Sequence, residues 1–176
     1  MSKILYRTAV LSISMLALLS AELSLPPKLP PVTLSGENGG LTSGKAWSSA
    51  SIKGKVYALF YVDPDEKDIN QEMEQKLDAA AFPPSQFATI AVINMEATWL
   101  PNMLIAAMLK RKQEKYPDTI YVKDEHKILV KKWGLQDNSY NVLLFNQKGE
   151  LLFAQAGTLK SPAIKKLLSL IRQHIE

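Results

Sequence analysis

The sequence predicts an α/β domain in which helices flank a central mixed sheet, made of a parallel βαβ unit followed by an antiparallel hairpin. Residues 56–62 and 87–93 are two almost wholly apolar runs, short enough to be strands buried on both faces. Between them, residues 66–81 repeat apolar side chains at helical spacing, which favours a right-handed crossover between parallel strands. Residues 142–145 and 151–154 flank an Asn-Gln-Lys-Gly turn, a pattern typical of a hairpin.

The first 21 residues have the composition of a secretory signal peptide. Lys3 and Arg7 precede an apolar run over residues 9–19, and Ala21 is a small residue at the expected cleavage position. The run is shorter than the roughly 20 apolar residues that a membrane-spanning helix needs. We therefore expect export to the periplasm with removal of residues 1–21, after which no stable membrane anchor remains. Retention of the leader as an uncleaved anchor is the alternative.

A proline-rich segment, residues 22–31, follows the leader and contains four prolines. Because proline fixes φ and has no backbone N–H to donate, this segment predicts an extended linker. The domain itself is expected over residues 32–176. Its first elements are predicted to be a short strand at residues 32–34, a glycine turn, and a second hairpin arm near residues 41–47.

Proline and glycine mark the ends of the other predicted helices. Pro101 and Pro117 bound one helix, Gly134 is the expected C-terminal cap of a shorter one, and Ser161 with Pro162 begins the last. The corresponding ranges are residues 101–116, residues 124–133, and residue 161 to near the C-terminus. A further short strand is expected at residues 119–122.

The chain contains no cysteine, which excludes disulfides, thiol redox catalysis and cysteine-based metal sites. His126 and His174 are far apart in the sequence, so we expect both at the surface and predict no metal or other cofactor. Without Lys3 and Arg7, 19 of the 21 basic residues remain against 17 acidic residues. A charge near +2 indicates no nucleic-acid partner.

The strand at residues 56–62 follows Gly54-Lys55 and precedes a short turn and a helix. This order resembles the centre of a thioredoxin-like domain of the peroxiredoxin or thiol-reductase type, in which a reactive cysteine or Cys-x-x-Cys fills the turn. From about residue 25 onward, the chain resembles the YtfJ family of small exported bacterial proteins. The matching motifs are WSS at 47–49, IKGKV at 52–56, TIAVIN at 89–94, KYP at 115–117 and WGL at 133–135, ahead of the turn at 146–149. The resemblance implies a thioredoxin-like fold and export, and it supplies no catalytic motif.

The positions that hold the redox-active residues in thiol-reductase relatives are occupied by other residue types in this chain. By spacing from the central strand, Asp65 and Asp68 fall near the two cysteine positions, and Tyr140 falls where a cis-proline precedes the hairpin strand. Carboxylates cannot perform thiol–disulfide exchange, which requires a thiolate. A cis peptide bond before a residue other than proline costs about 2.5–4 kcal/mol. We therefore predict a thioredoxin-like protein without thiol redox activity.

Four carboxylates crowd into the turn after the central strand: Asp63, Asp65, Glu66 and Asp68. The simplest interpretation is a solvated helix start, because acidic side chains stabilise the positive end of a helix dipole. The cluster would also suit a hard cation such as calcium, although it lacks the glycine and the final glutamate of an EF-hand loop. Acid–base catalysis is the third possibility. An enzyme or cation-dependent protein that uses residues 63–68 is therefore the alternative function.

The principal prediction is a binding or accessory module whose partner is an unknown protein, peptide or small ligand. In a thioredoxin-like sheet, the turn after the central strand faces the start of the hairpin strand. The predicted binding surface comprises Asp63, Asp65, Asp68 and Tyr140, with an exposed aromatic ring and a free helix N-terminus. Because substitutions of exposed side chains usually change stability by no more than about 0.5 kcal/mol, we expect Tyr140→Ala to leave the melting temperature nearly unchanged.

Overall fold

A computed structural model describes residues 21–98 and 100–175 of the chain. The predicted signal peptide, residues 1–21, lies outside the described residues except for Ala21. The described strands are β1 (Ala21–Glu22), β2 (Thr33–Leu34), β3 (Gly39–Leu41), β4 (Trp47–Ser48), β5 (Val56–Val62), β6 (Phe87–Asn94), β7 (Thr119–Asp124), β8 (Tyr140–Phe145) and β9 (Leu151–Ala156). The described α-helices are α1 (Gln71–Ala80), α2 (Asn102–Lys115), α3 (Ile128–Trp133) and α4 (Ser161–His174).

Seven of these strands form the main sheet, in the order β1-β9-β8-β5-β6-β7-β3. The central strands β5, β6 and β7 run parallel, and the antiparallel hairpin of β8 and β9 joins the sheet beside β5. The predicted fold class, a mixed sheet flanked by helices, is therefore confirmed. β5 has the bounds predicted from its apolar run, and six of its seven side chains are buried.

The sheet separates two hydrophobic cores. The first face is covered by helices α1, α2 and α4, through side chains such as Met73, Ile105 and Leu167. The second face is covered by α3 and by the N-terminal segment. Since side chains alternate along a strand, Phe60 belongs to the first core and Leu59 to the second.

The proline-rich segment packs against the second face. The Leu151 amide donates a hydrogen bond to the Pro27 carbonyl at 2.8 Å, next to the hairpin turn. The Trp133 indole N–H donates to the Pro30 carbonyl at 2.8 Å. These contacts join the segment to the sheet and to α3, while the domain boundaries themselves stay a prediction.

The predicted N-terminal hairpin forms in part. Leu34 of β2 pairs with Trp47 of β4, as expected for its two arms. Leu41 instead lies in β3, which pairs with β7 at the edge of the main sheet. At Gly39, φ is +110° and an added Cβ would lie 2.0 Å from the Lys123 carbonyl oxygen, so this pairing requires glycine.

Helix α1 begins later than its apolar repeat predicts. Pro64–Glu66 forms a 3₁₀ turn, and the α-helix starts only at Gln71. The buried Asn70 fixes that start, because its side chain donates to the Gly157 carbonyl at 3.0 Å and accepts from the Leu159 amide at 2.8 Å. The acidic turn therefore presents no α-helix N-terminus, and the prediction of a helix start there is wrong.

The later helices agree more closely with the sequence. Helix α2 spans nearly the predicted range, and Gly134 caps α3 in the left-handed conformation at φ +71°. Helix α4 begins at Ser161, although Lys160 rather than Ser161 occupies the N-cap. Within residues 21–98 and 100–175, no helix has the length and apolar composition needed to cross a membrane.

Candidate functional site

The carboxyl ends of β5, β6 and β7 lie beside the start of β8 at one end of the sheet. Val62 pairs with Tyr140, and the Asp63 amide donates to the Ser139 carbonyl at 3.0 Å. The predicted proximity of the acidic turn to the start of the hairpin is thus confirmed. In open α/β sheets, ligands commonly bind at this end of the strands.

Asp63 is a structural residue of the turn. The residue is 3% exposed, and its Oδ1 accepts a hydrogen bond from the Asp65 amide at 2.9 Å, which closes the turn. Burial raises the pKa of the Asp63 carboxyl above its usual value, although the hydrogen bond from the Asp65 amide opposes that shift. A buried carboxylate that is bonded to its own turn is poorly placed to contact a partner.

Asp65 and Asp68 are exposed, as the predicted surface requires. Asp65 Oδ1 accepts the Thr98 hydroxyl at 3.1 Å, and Asp68 pairs with its neighbour Lys67. The hydrogen bond from Lys67 lowers the pKa of Asp68. In the part of the chain that the structure describes, no three His, Asp or Glu side chains are placed to share a metal ion. A binding role for the two exposed carboxylates stays a prediction.

Tyr140 does not present its ring to solvent. The residue is 1% exposed, its hydroxyl donates to Glu74 Oε1 at 2.7 Å, and its ring centroid lies 5.8 Å from that of Phe60. Burial, together with the negative charge of Glu74, raises the pKa of Tyr140 well above its usual value. The prediction of an exposed ring is wrong because the ring packs against Phe60 and its hydroxyl donates to Glu74, a half-buried residue of α1.

The structure also shows a buried acidic residue whose role the sequence does not reveal. Asp124, at the end of β7, is fully buried, and its carboxylate accepts the Ile128 and Leu129 amides at 2.8 and 2.9 Å. The Tyr61 hydroxyl donates to the same carboxylate at 3.2 Å. Asp124 therefore caps α3 and ties it to the central strand.

A second polar cluster lies nearby, around Asp137. Its carboxylate accepts Lys127 Nζ at 2.8 Å and Asn94 Nδ2 at 3.2 Å. Burial acts to raise the pKa of Asp137, but the hydrogen bonds, chiefly that from Lys127, lower it below its usual value. Lys127 has φ +52°, an unusual conformation for a lysine, and it is the N-cap residue of α3. The cluster orients the loops at the strand ends.

A cleft lies on the first face of the sheet, between α1 and α2. Its floor includes Phe60 of β5, Ala91 of β6 and Tyr121 of β7, which stand side by side in the strand register. Ala91 is the smallest of the three, and its short side chain leaves room between larger neighbours. The cavity measures about 390 Å³ and is closed on the α2 side by Ile105 and Leu109.

The cleft reaches the acidic turn at one end. Pro64 and Lys67 line it there, and Tyr140 and Glu74 border it from the sheet and from α1. Tyr121 lies in its floor, where burial raises the pKa of the phenol to about 12. Tyr140 therefore borders a candidate binding cleft between α1 and α2, and it does not form part of an exposed surface.

Exposed apolar side chains occur on α2 and on Tyr116, the residue that follows it. Among the described residues, the exposed large hydrophobic side chains are Met103 (81%), Leu104 (53%), Met108 (44%) and Tyr116 (42%). Met108 and Tyr116 border the cleft. Since Ile105 and Leu109 are the buried residues of α2, a narrow apolar stripe fixes the helix to the sheet.

The strand order and helix placement define a thioredoxin-like fold, which the comparison with solved structures also shows. The chain is similar to a thioredoxin-like superfamily protein, with a TM-score of 0.59 and 16% identity over 84% of this chain and 97% of that chain. It is also similar to the pneumococcal exposed lipoprotein thioredoxin of Streptococcus pneumoniae TIGR4, with a TM-score of 0.56 and 15% identity over 80% and 99% of the two chains. At sequence identities this low, the similarity shows a shared fold and nothing further.

The chain belongs to the family described as bacterial protein of unknown function (YtfJ_HI0045), whose model matches residues 33–174. An uncharacterized protein of Haemophilus influenzae is 26% identical over 157 residues, 85% of each chain. The uncharacterized protein YtfJ of Escherichia coli K12 is 22% identical over 156 residues, 83% of this chain and 84% of the relative. The family resemblance is therefore confirmed, with a thioredoxin-like fold and no cysteine.

The cleft residues were not found by sequence reasoning. Glu74 and Asp78 occur on the polar side of an amphipathic helix, where acidic residues usually indicate a solvated surface. The available signal was Ala91, a small residue among larger ones in a buried strand. Its significance depends on which strands lie beside β6, which becomes clear only in the folded sheet.

Proposed function

We propose that the protein is exported to the periplasm and acts there as a binding module without thiol redox activity, with the cleft between α1 and α2 as its binding site. The observation that carries the proposal is the cavity of about 390 Å³ above Ala91. Small-molecule sites are typically concave and largely apolar, with a few polar groups, and occupy about 300–1,000 Å³. The cleft has this size and composition.

The rest of the proposal is supported by the sequence. The chain has no cysteine, so it supplies no thiolate for disulfide exchange. The expectation of export rests on Lys3, Arg7 and the apolar run that follows them. An accessory role would then depend on what the cleft holds.

The alternative, an enzyme or cation-dependent protein that uses residues 63–68, has no specific observation in its favour. Asp63 closes its own turn, and Asp68 pairs with Lys67. Asp65 accepts a hydrogen bond from Thr98 at the surface. Among the described residues, these carboxylates form no group of three that could hold a cation.

A neutral apolar dye, Nile red, tests the proposed site by fluorescence titration. Ala91→Leu places a larger side chain in the cleft and should weaken dye binding at least about tenfold. Ala88→Leu is the matched control, because Ala88 lies on the same strand but points to the other face. Each variant is first shown by circular dichroism and thermal melting to fold like the parent. If the parent binds no dye, or if Ala91→Leu binds it as well as the parent, the cleft is not the binding site.

A further inference from the structure

We infer that the cleft holds a zwitterion with an apolar side chain, either a free apolar amino acid or a short apolar peptide. This inference deepens the proposed function and rests on it. Three features carry it: opposite charges on the two sides of the cleft, an apolar floor, and a volume suited to a small ligand.

The two sides of the cleft carry opposite charges. Helix α1 contributes Glu74 and Asp78, which are four residues apart and therefore lie on one face of the helix. Helix α2 contributes Lys112 and Lys115. Within the described parts of the chain, no salt bridge joins these two sides. Glu74 accepts the Tyr140 hydroxyl, and Lys115 Nζ lies 5.1 Å from the centroid of the Tyr116 ring. Asp78 and Lys112 are therefore the groups of opposite charge that a ligand would contact first.

The charges balance within the cleft. Lys67 also lines it, but Asp68 neutralises this lysine. Two carboxylates from α1 and two ammonium groups from α2 also line the cleft. A ligand with a single charge would pair with one side and leave the other side unmatched, whereas a zwitterion satisfies both. Asp78, Lys112 and Lys115 are exposed, so these charges lie at the solvent side of the cleft, where they would orient a ligand of complementary charge.

The floor between the charged sides is apolar. Phe60, Ala91 and Ile93 come from the sheet, and Leu77 comes from α1. These side chains would bury an aliphatic or aromatic ligand side chain, and the removal of its apolar surface from water favours binding. A cavity of about 390 Å³ lies near the lower end of the range for small-molecule sites, which suits an amino acid or dipeptide better than a long acyl chain.

NMR titration of the isotope-labelled parent protein tests the ligand class. The probes are L-leucine and leucyl-leucine as zwitterions, L-leucinamide without the carboxylate, N-acetyl-L-leucine without the ammonium group, and glycine without a side chain. We expect leucine or leucyl-leucine to bind at least about tenfold more tightly than the three other probes. The relative affinities of leucine and leucyl-leucine distinguish a free amino acid from a peptide.

Charge variants test which side chains contact the charged groups of the ligand. Asp78→Asn should weaken the binding of leucine more than the binding of N-acetyl-L-leucine, which lacks the ammonium group. The double variant Lys112→Gln with Lys115→Gln should weaken the binding of leucine more than the binding of leucinamide, which lacks the carboxylate. Lys110→Gln is the control, since Lys110 borders a separate hollow on the other side of α2. Its leucine affinity should equal that of the parent.

The inference is overturned if leucinamide or N-acetyl-L-leucine binds as tightly as leucine, because one charge would then suffice. It is also overturned if no zwitterion binds while Nile red occupies the cleft, an outcome that leaves the proposed binding site intact. If neither the zwitterions nor the dye binds, the proposed function fails as well. Equal effects of Lys110→Gln and the Lys112 and Lys115 double variant would contradict the assigned positions of the ligand charges.

Discussion

Replacement of Tyr140 by alanine gives a large effect that distinguishes a buried ring from an exposed one. The variant removes an aromatic side chain that is 1% exposed and packs against Phe60. Truncation of a buried aromatic residue to alanine typically costs about 3–5 kcal/mol of unfolding free energy. In a protein of this size, each kcal/mol lowers the melting temperature by about 2–4 °C, so we expect a decrease of about 6–20 °C.

Tyr140→Phe separates the hydrogen bond from the packing. The ring remains, but the hydroxyl that donates to Glu74 Oε1 at 2.7 Å is lost. A hydrogen bond to a charged group contributes about 1.5–3 kcal/mol when buried. Glu74 is partly exposed, so water can replace the hydroxyl and the expected loss is nearer 1 kcal/mol.

Urea unfolding followed by circular dichroism measures both effects. Asp65→Ala serves as the control, because Asp65 is exposed and its replacement should change stability by no more than about 0.5 kcal/mol. The expected order of stability is parent and Asp65→Ala, then Tyr140→Phe, then Tyr140→Ala. If Tyr140→Ala unfolds within about 0.5 kcal/mol of the parent, the ring is not part of the core and the exposed-surface interpretation regains support.

Three further predictions concern titration, chemistry and export. Because burial raises the Asp63 pKa above 3.8, the stability that its protonated form contributes is present below that pH and is lost as the pH rises through the raised value. Asp63→Asn keeps the capping oxygen but has no carboxyl that titrates, so its stability relative to the parent should increase as the pH is raised above about 4 in urea titrations. A stability difference that does not change with pH contradicts this. The purified protein should neither reduce insulin disulfides nor consume peroxide, and activity above a heat-inactivated control counts against the absence of thiol chemistry. Intact mass of periplasmic material should show a chain that begins near Glu22, whereas a chain that still begins at Met1 refutes cleavage.

The sequence determines the strands of the sheet better than its exposed surfaces. The run at Val56–Val62 predicts a strand, because seven consecutive apolar or aromatic residues are too few for a helix and need burial on both faces. The hairpin turn is equally local, since Asn146 Oδ1 accepts the Lys148 and Glu150 amides at 2.9 Å each. Both features depend on neighbouring residues, which sequence reasoning can use.

The candidate site depends on contacts between distant residues. Tyr140 is buried, and its hydroxyl donates a hydrogen bond to Glu74, 66 positions earlier in the chain. The start of α1 is fixed by Asn70, whose side-chain partners, Gly157 and Leu159, lie 87 and 89 positions away. No pattern within a short window of sequence indicates such partners. The sequence therefore predicted where the turn and hairpin meet and that Asp65 and Asp68 are exposed, but not that Tyr140 is buried.

Methyl NMR with a neutral apolar probe, indole, tests most directly the claim that the cleft between α1 and α2 is the binding site. The methyl groups of Leu77, Ile105 and Leu109 line the cleft, whereas those of Ile90 and Leu129 belong to the core on the other face. The claim predicts saturable shifts of the first group, absent in Ala91→Leu, with the second group unchanged. Shifts confined to Ile90 and Leu129, or shifts of the cleft methyl groups that persist in Ala91→Leu, would contradict it.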